Sequence, residues 1–231
     1  MKDYVMKSAN KAQKNRNEFH LLSGQIPIYI INKLPKHIDL KSIIETLEKN
    51  IPSSIINMIE GIYIGDFKEL EERNIQAMFK DGVIYLSSFN NVSDVSDEII
   101  AKDICHELAH AVESNMGSDI YADGRIEAEY DGKKRKLVSL LTFEGYHFPR
   151  ELFFDENLIG DLDAFLYGEI GYDKLFPIIS GLFMSPYSIT SIREYFANGM
   201  EDYLLGDSSY VKQISPILYK KLDELFNKVN F

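Results

Sequence analysis

The sequence predicts an α+β chain: a small mixed β-sheet packed on one long helix, followed by a mostly helical C-terminal lobe. Three observations predict it. β-Branched and aromatic runs, one interrupted by Asp81-Gly82, lie in the first 90 residues. A helix-periodic stretch follows over residues 103–113. Beyond it the apolar pattern is helical. A chain of 231 residues fits one domain, 1–231, with an upper lobe over 22–116 and a helical lower lobe over 117–231.

Taken in order, residues 1–20 are polar and lysine-rich and read as a polar helix or loose arm. They lack an apolar run, so they do not form a signal peptide. His20, at the end of this stretch, reads as structural or solvated. Residues 25–32 (Gln-Ile-Pro-Ile-Tyr-Ile-Ile-Asn) form a strand. Residues 39–50 place Leu40, Ile43, Ile44 and Leu47 at helical spacing, with Pro52 closing the helix. Residues 55–67 contain a second strand around Gly61-Ile62-Tyr63-Ile64. Residues 77–87 form a hairpin, because Asp81-Gly82 supplies the positive φ angles of a two-residue turn. After a polar loop over 90–97, Ser96 or Asp97 caps the long helix.

That helix carries His106-Glu107-Leu108-Ala109-His110, the pattern HExxH. Histidines four apart project from one helix face, a turn above each other. Both imidazoles can then reach one Zn²⁺, and the Glu between them points at the water such an ion holds. Ile104, Leu108, Ala111 and Val112 form an apolar stripe beside the histidines, so the helix can be buried while the ligands face a cleft. The alternative is a partly exposed helix with two ordinary histidines. The motif implies a zinc metallopeptidase of the zincin class, with His106 and His110 as ligands and Glu107 as general base. Strand, strand, hairpin and metal helix is the order of a zincin upper lobe. On this reading residues 83–87 lie at the sheet edge and accept an extended peptide through main-chain hydrogen bonds, unless they are simply a hairpin arm.

Residues 117–132 read as a turn-rich acidic connection, and Lys133 to Lys136 as a solvated helix start without function. Residues 138–143, 152–154 and 158–167 look helical. Residues 174–184 read as a buried helix beginning near Pro177. A catalytic zinc needs a third protein ligand. A metzincin continuation would require Gly at 113 and a ligand at 116; Glu113 and Met116 exclude it. Asp119 and Asp123 lie close to the helix end, and Glu113 is too far along the axis to close a tetrahedral site. Glu194 is the better candidate. It falls in a segment, 188–206, with caps at its start, apolar Ile192, Tyr195, Phe196, Met200 and Leu204, and Gly206 as a stop. A Glu in a core-facing segment is costly unless paired or metal-bound. Pairing with Arg193 or Lys220 is the alternative.

Residues 106–113 (HELAHAVE), Pro186-Tyr187 and Glu194-Tyr195-Phe196-Ala197 together resemble the catalytic domain of anthrax lethal factor and its relatives, which include the Pro-Pro endopeptidases of clostridia. The resemblance implies Glu194 as third zinc ligand and Tyr187, seven residues before it, as the donor that stabilises the oxyanion. The chain departs from the family in a longer gap between His110 and Glu194, which places an insertion within 117–180. The stretch from Tyr63 to His110 is also similar to uncharacterised peptidases of large bacterial viruses. Asp103, Glu113 and Glu201 are available to orient the imidazoles. His147 is an alternative oxyanion donor or fourth ligand.

The formal net charge of −11 argues against nucleic acid as a partner and favours a neutral or basic peptide or protein substrate. The single Cys105 excludes an internal disulfide and a cysteine zinc site and reads as a small core side chain. There is no apolar run long enough to span a membrane. A monomer in the cytoplasm is the simplest expectation, with export by a non-classical route as the other. The rival functional reading is a catalytically silent zincin-fold protein associated with a virion or a toxin.

Overall fold

The computed structural model describes residues 19–90 and 92–229, with the side chains of Ser23, Lys228 and Val229 outside the description. Residues 1–18 of the expected arm therefore lie outside the described residues, while Phe19 and His20 fall in a strand. The fold is α+β. Among the described residues it comprises two compact units, one up to residue 115 together with residue 229, the other over residues 116–228.

The first unit holds a five-stranded mixed sheet in the order β1-β2-β3-β5-β4. Its strands are β1 (Phe19–Leu21), β2 (Ile26–Ile30), β3 (Gly61–Ile64), β4 (Ala77–Lys80) and β5 (Val83–Leu86). β2, β3 and β5 run parallel, because helix-containing crossovers join them; β1 and β4 are antiparallel hairpin partners. The first crossover contains α1 (Leu40–Asn50) and α2 (Ser53–Ile56). Asp39 caps α1 by accepting the Lys41 N–H at 2.9 Å, and Leu40, Ile43 and Leu47 are its buried face. The second crossover contains α3 (Lys68–Arg73).

Strand alternation divides the sheet chemically. Ile28, Ile62 and Ile84 lie in register on one face and are buried. On the other face Tyr29, Tyr63 and Tyr85 stack in sequence, with ring centroids 4.7 and 5.8 Å apart. Leu70 of α3 packs with Phe67, Met78 and Tyr85 on that side. Asp81 and Gly82 both take positive φ (53° and 81°), as the two-residue turn requires.

The structure corrects the expected edge strand. β5 (residues 83–86) is paired on both sides, by β3 and β4, so it cannot accept an added peptide strand. The parallel pairing with β3 claims the second arm of the hairpin and leaves the first arm, β4, at the edge.

The long helix is α4 (Asp97–Tyr121). Ser96 caps it, with Oγ accepting the Ile99 N–H at 3.3 Å, and Asp97 ties it to α1 by accepting the Asp39 N–H at 2.9 Å. Ile100, Ala101, Ile104, Cys105, Leu108, Ala109, Ala111 and Val112 are all at most 1% exposed, so the buried surface is wider than one stripe. A break from helical geometry at Met116 (φ −126°, ψ 20°) coincides with the passage into the second unit.

The second unit consists of helices and short turns. They are α5 (Arg125–Phe143), α6 (Ile159–Ala164) with a π-turn over Phe165–Ile170, α7 (Tyr172–Ile179), α8 (Ile192–Leu205), α9 (Ser208–Ile214) and α10 (Pro216–Val229). Three expectations are overturned here. Residues 117–132 are helical except for a tight turn at 122–124, because buried Ile120, Ile126 and Tyr130 anchor both helices. α7 begins at Tyr172, with Pro177 in its second turn rather than at its start. The basic run lies in the middle of α5, and Lys133 and Lys134 are 7% and 9% exposed.

Lys133 has a definite structural task. Its ammonium donates to Leu182 O (2.5 Å), Ile214 O (2.6 Å) and Ser215 Oγ (3.0 Å). One turn earlier on α5, Glu129 accepts from Tyr195 OH (2.8 Å), Ile217 N (2.9 Å) and Leu218 N (3.1 Å). The cation thus sits on the carboxyl end of α9 and the anion on the amino end of α10, each the favourable sign for a helix dipole. At the α8–α10 crossing, a side chain at Gly199 would collide with Leu218, so glycine is needed for the close approach.

Candidate metal centre

The HExxH side chains come together on one turn of α4. Donor atoms of His106, Glu107 and His110 all lie within 4.8 Å of one another. The imidazole centroids are 5.1 Å apart, with ring planes at 81°. Helical spacing alone produces this arrangement, since positions four apart overlay. Burial sharpens it: Glu107 and His110 are 8% and 9% exposed, and His106 is half-buried.

Two neighbours orient these groups. Glu113, a turn after His110, brings Oε2 to 3.6 Å from His110 Nδ1, with both side chains nearly buried. That is too long for a direct hydrogen bond, but close enough for the carboxylate to favour the tautomer with hydrogen on Nδ1. Nε2 would then be the metal-binding nitrogen. Glu113 thus sits beside the His110 imidazole. Cys105, next to His106 in sequence, is buried as a core side chain.

The second neighbour is one that sequence reasoning missed. Glu107 Oε2 accepts the backbone N–H of Phe79 at 2.5 Å. The register explains why this N–H is available. Ser87 N donates to Gln76 O at 2.8 Å, so 76 and 87 are a hydrogen-bonded pair. Antiparallel alternation then turns the backbone of Met78 and Lys80 towards β5 and that of Ala77 and Phe79 outward. The carboxylate therefore holds the free side of edge strand β4. No short sequence signal reveals this, because the two groups are 28 residues apart. The expected result is slow hydrogen exchange at Phe79 N–H despite its edge position, becoming fast in Glu107→Ala. Equal exchange in both proteins would remove the tether.

Of the other candidates, Asp103 is half-buried on α4, and Glu194, Tyr187, His147 and Glu201 belong to the second unit. Glu194 is in the first turn of α8, half-buried, and its N–H donates to Ser191 Oγ at 3.1 Å. Ser191-x-x-Glu194 has the spacing of a capping box, of which the bond from Glu194 N–H to Ser191 Oγ is formed. Tyr187 opens a short 3₁₀ turn and is 42% exposed, so it is no core packing residue. His147 is exposed in the loop after α5, and Glu201 is half-buried on α8.

Two imidazoles and a carboxylate within this span are a donor set that suits zinc. No described helix is long and apolar enough to cross a membrane. Comparison of the chain with protein-family models, with curated proteins and with solved structures finds no match.

Proposed function

We propose that this chain is a zinc-dependent endopeptidase of the zincin class. The observation that carries the reading is the convergence of His106, Glu107 and His110 on one buried helical turn, with Glu107 tethered to an edge strand. His106 and His110 would hold the ion, and Glu194 would close the site as third ligand. A bound zinc supplies Lewis acidity and brings the pKa of its water towards neutrality.

The chain's own groups supply the rest. Glu107 takes a proton from the attacking water at a carboxylate oxygen and later delivers it to the leaving amine. Tyr187 donates a hydrogen bond to the oxygen on which negative charge develops. The outward N–H and C=O groups of Ala77, with the C=O of Phe79, offer a peptide the main-chain pairing of an added strand. Glu107 already occupies the Phe79 N–H, so the base is fixed against the strand that would seat the substrate. An acidic protein of this charge suits a neutral or basic peptide.

The test combines metal content with a peptide-library cleavage screen. Wild type is expected to take up one zinc per chain and to cleave. Glu194→Ala is expected to weaken zinc binding about 10–100-fold or more, by analogy with the loss of a carboxylate that supports the metal. A full zinc complement in that variant would reassign the third ligand. Zinc uptake without any cleavage would favour the rival reading, a silent zincin-fold binding protein.

A further inference from the structure

The second unit contains a cavity of about 360 Å³ between α5, the turns around residues 150–158 and the start of α8. Leu152, Phe153, Ile159 and Leu162 form an apolar wall. Lys134 also lines the cavity and is 9% exposed. Its ammonium lies 4.8 Å from the Tyr130 ring centre and 5.4 Å from that of Phe154. Among the described residues it has no hydrogen-bond acceptor and no ion pair. Aromatic faces attract a cation but do not replace the hydrogen bonds lost on leaving water. The ammonium itself is not sealed from solvent, so its three donors face the open cavity, where a ligand can accept them.

The surroundings define that ligand. The amino end of the 14-residue helix α8 borders the cavity through Ser191 and Ile192 and favours a carboxylate beside Lys134. The Tyr130 and Thr190 hydroxyls are already used, donating to Ile189 O (2.6 Å) and Tyr187 O (2.8 Å). Glu127, Asp131, Asp155 and Glu156 also line the cavity, with Arg193 as a second cation, and Asp131 and Glu156 carry negative charge towards Lys134. A bare anion would be repelled by these two carboxylates, whereas a zwitterion would meet them with its ammonium. The volume lies at the lower end for ligand sites and suits one amino acid rather than a long peptide.

We infer that this cavity binds an apolar α-amino acid, carboxylate to Lys134, ammonium to Asp131 and Glu156, side chain on the apolar wall. The inference does not rest on the peptidase reading, since it uses none of the side chains assigned there to the metal or to the reaction.

Isothermal titration of the full chain with L-phenylalanine and L-leucine tests it, with and without chelator. Saturable binding is expected, unchanged by the chelator. Phenylalaninamide, lacking the carboxylate, should bind at least tenfold more weakly. Lys134→Met should lose at least tenfold in affinity for L-phenylalanine while melting no lower than wild type, because a partly desolvated charge without an ion pair is replaced by an apolar chain of similar length. Asp131→Asn should weaken L-phenylalanine yet leave N-acetyl-L-phenylalanine no weaker, because that ligand has no ammonium to lose a partner, a comparison that holds even if Lys134→Met fails to fold. Absence of binding to folded wild type, or equal binding by Lys134→Met, overturns the proposal. Acetate or inorganic phosphate binding as tightly as the amino acids would also overturn it, by showing a simple anion site.

Discussion

Glu107→Gln is expected to abolish peptide cleavage, by about 10²–10⁴-fold or more, while zinc uptake stays at the wild-type level. The amide keeps the shape of the carboxylate and can still accept the Phe79 N–H through its oxygen, so the β4 tether and the helix survive. It cannot take a proton. The effect therefore falls on kcat, with little change in binding of an extended peptide to the strand edge. Measurement of kcat and KM on one cleaved peptide, beside metal content, separates these terms. Turnover at wild-type rate would remove Glu107 from the proton-transfer role. Loss of zinc as well would show that Glu107 holds the ion instead.

The largest expected effect on stability is that of Glu129→Ala in the second unit, a loss of about 3–5 kcal/mol. The substitution removes the acceptor for Tyr195 OH and for two N–H groups at the start of α10. It also strips the nearby opposite charge from Lys133, which remains buried against Phe183 and Tyr195. Urea unfolding should show the loss, and a change below about 1 kcal/mol would make this network peripheral. A pH test follows from the same network. Burial pushes the Lys133 ammonium down to about 8, only partly offset by Glu129. In the unfolded chain the group titrates near 10.5, so between these values the unfolded chain binds more protons. The contribution of Lys133 to stability therefore rises from pH 8 to pH 10.5, and below pH 8 the cost of its charge is fully present. Lys133→Met should abolish that rise; an unchanged slope would assign it to other groups.

Several features were legible because they are local. The hairpin at Asp81-Gly82 needs only a pair of residues that tolerate positive φ. The Leu40, Ile43, Leu47 face of α1 needs only one helical period. The strand at residues 61–64 was read from its β-branched and aromatic run. Other features were misread for physical reasons. Gly117, Gly124 and Gly132 with several acids suggested turns over 117–132. A helical glycine costs only about 1 kcal/mol, and the burial of Ile120, Ile126 and Tyr130 outweighs it. Lys133 and Lys134 read as solvent-facing charges in the sequence, because four basic residues in a row say nothing of which two face the core.

By itself the sequence determined that two imidazoles and a carboxylate share one turn of a buried helix, since a 3.6-residue period fixes that without help from the rest of the chain. It also determined the α+β class and the hairpin before the helix. Only the tertiary structure decided that β4, not β5, is the sheet edge, and that the Phe79 N–H holds Glu107. Only it showed Lys133 closing one helix end and Lys134 facing a cavity. Strand order, register and burial depend on pairings between residues tens of positions apart, and no local pattern encodes those energies.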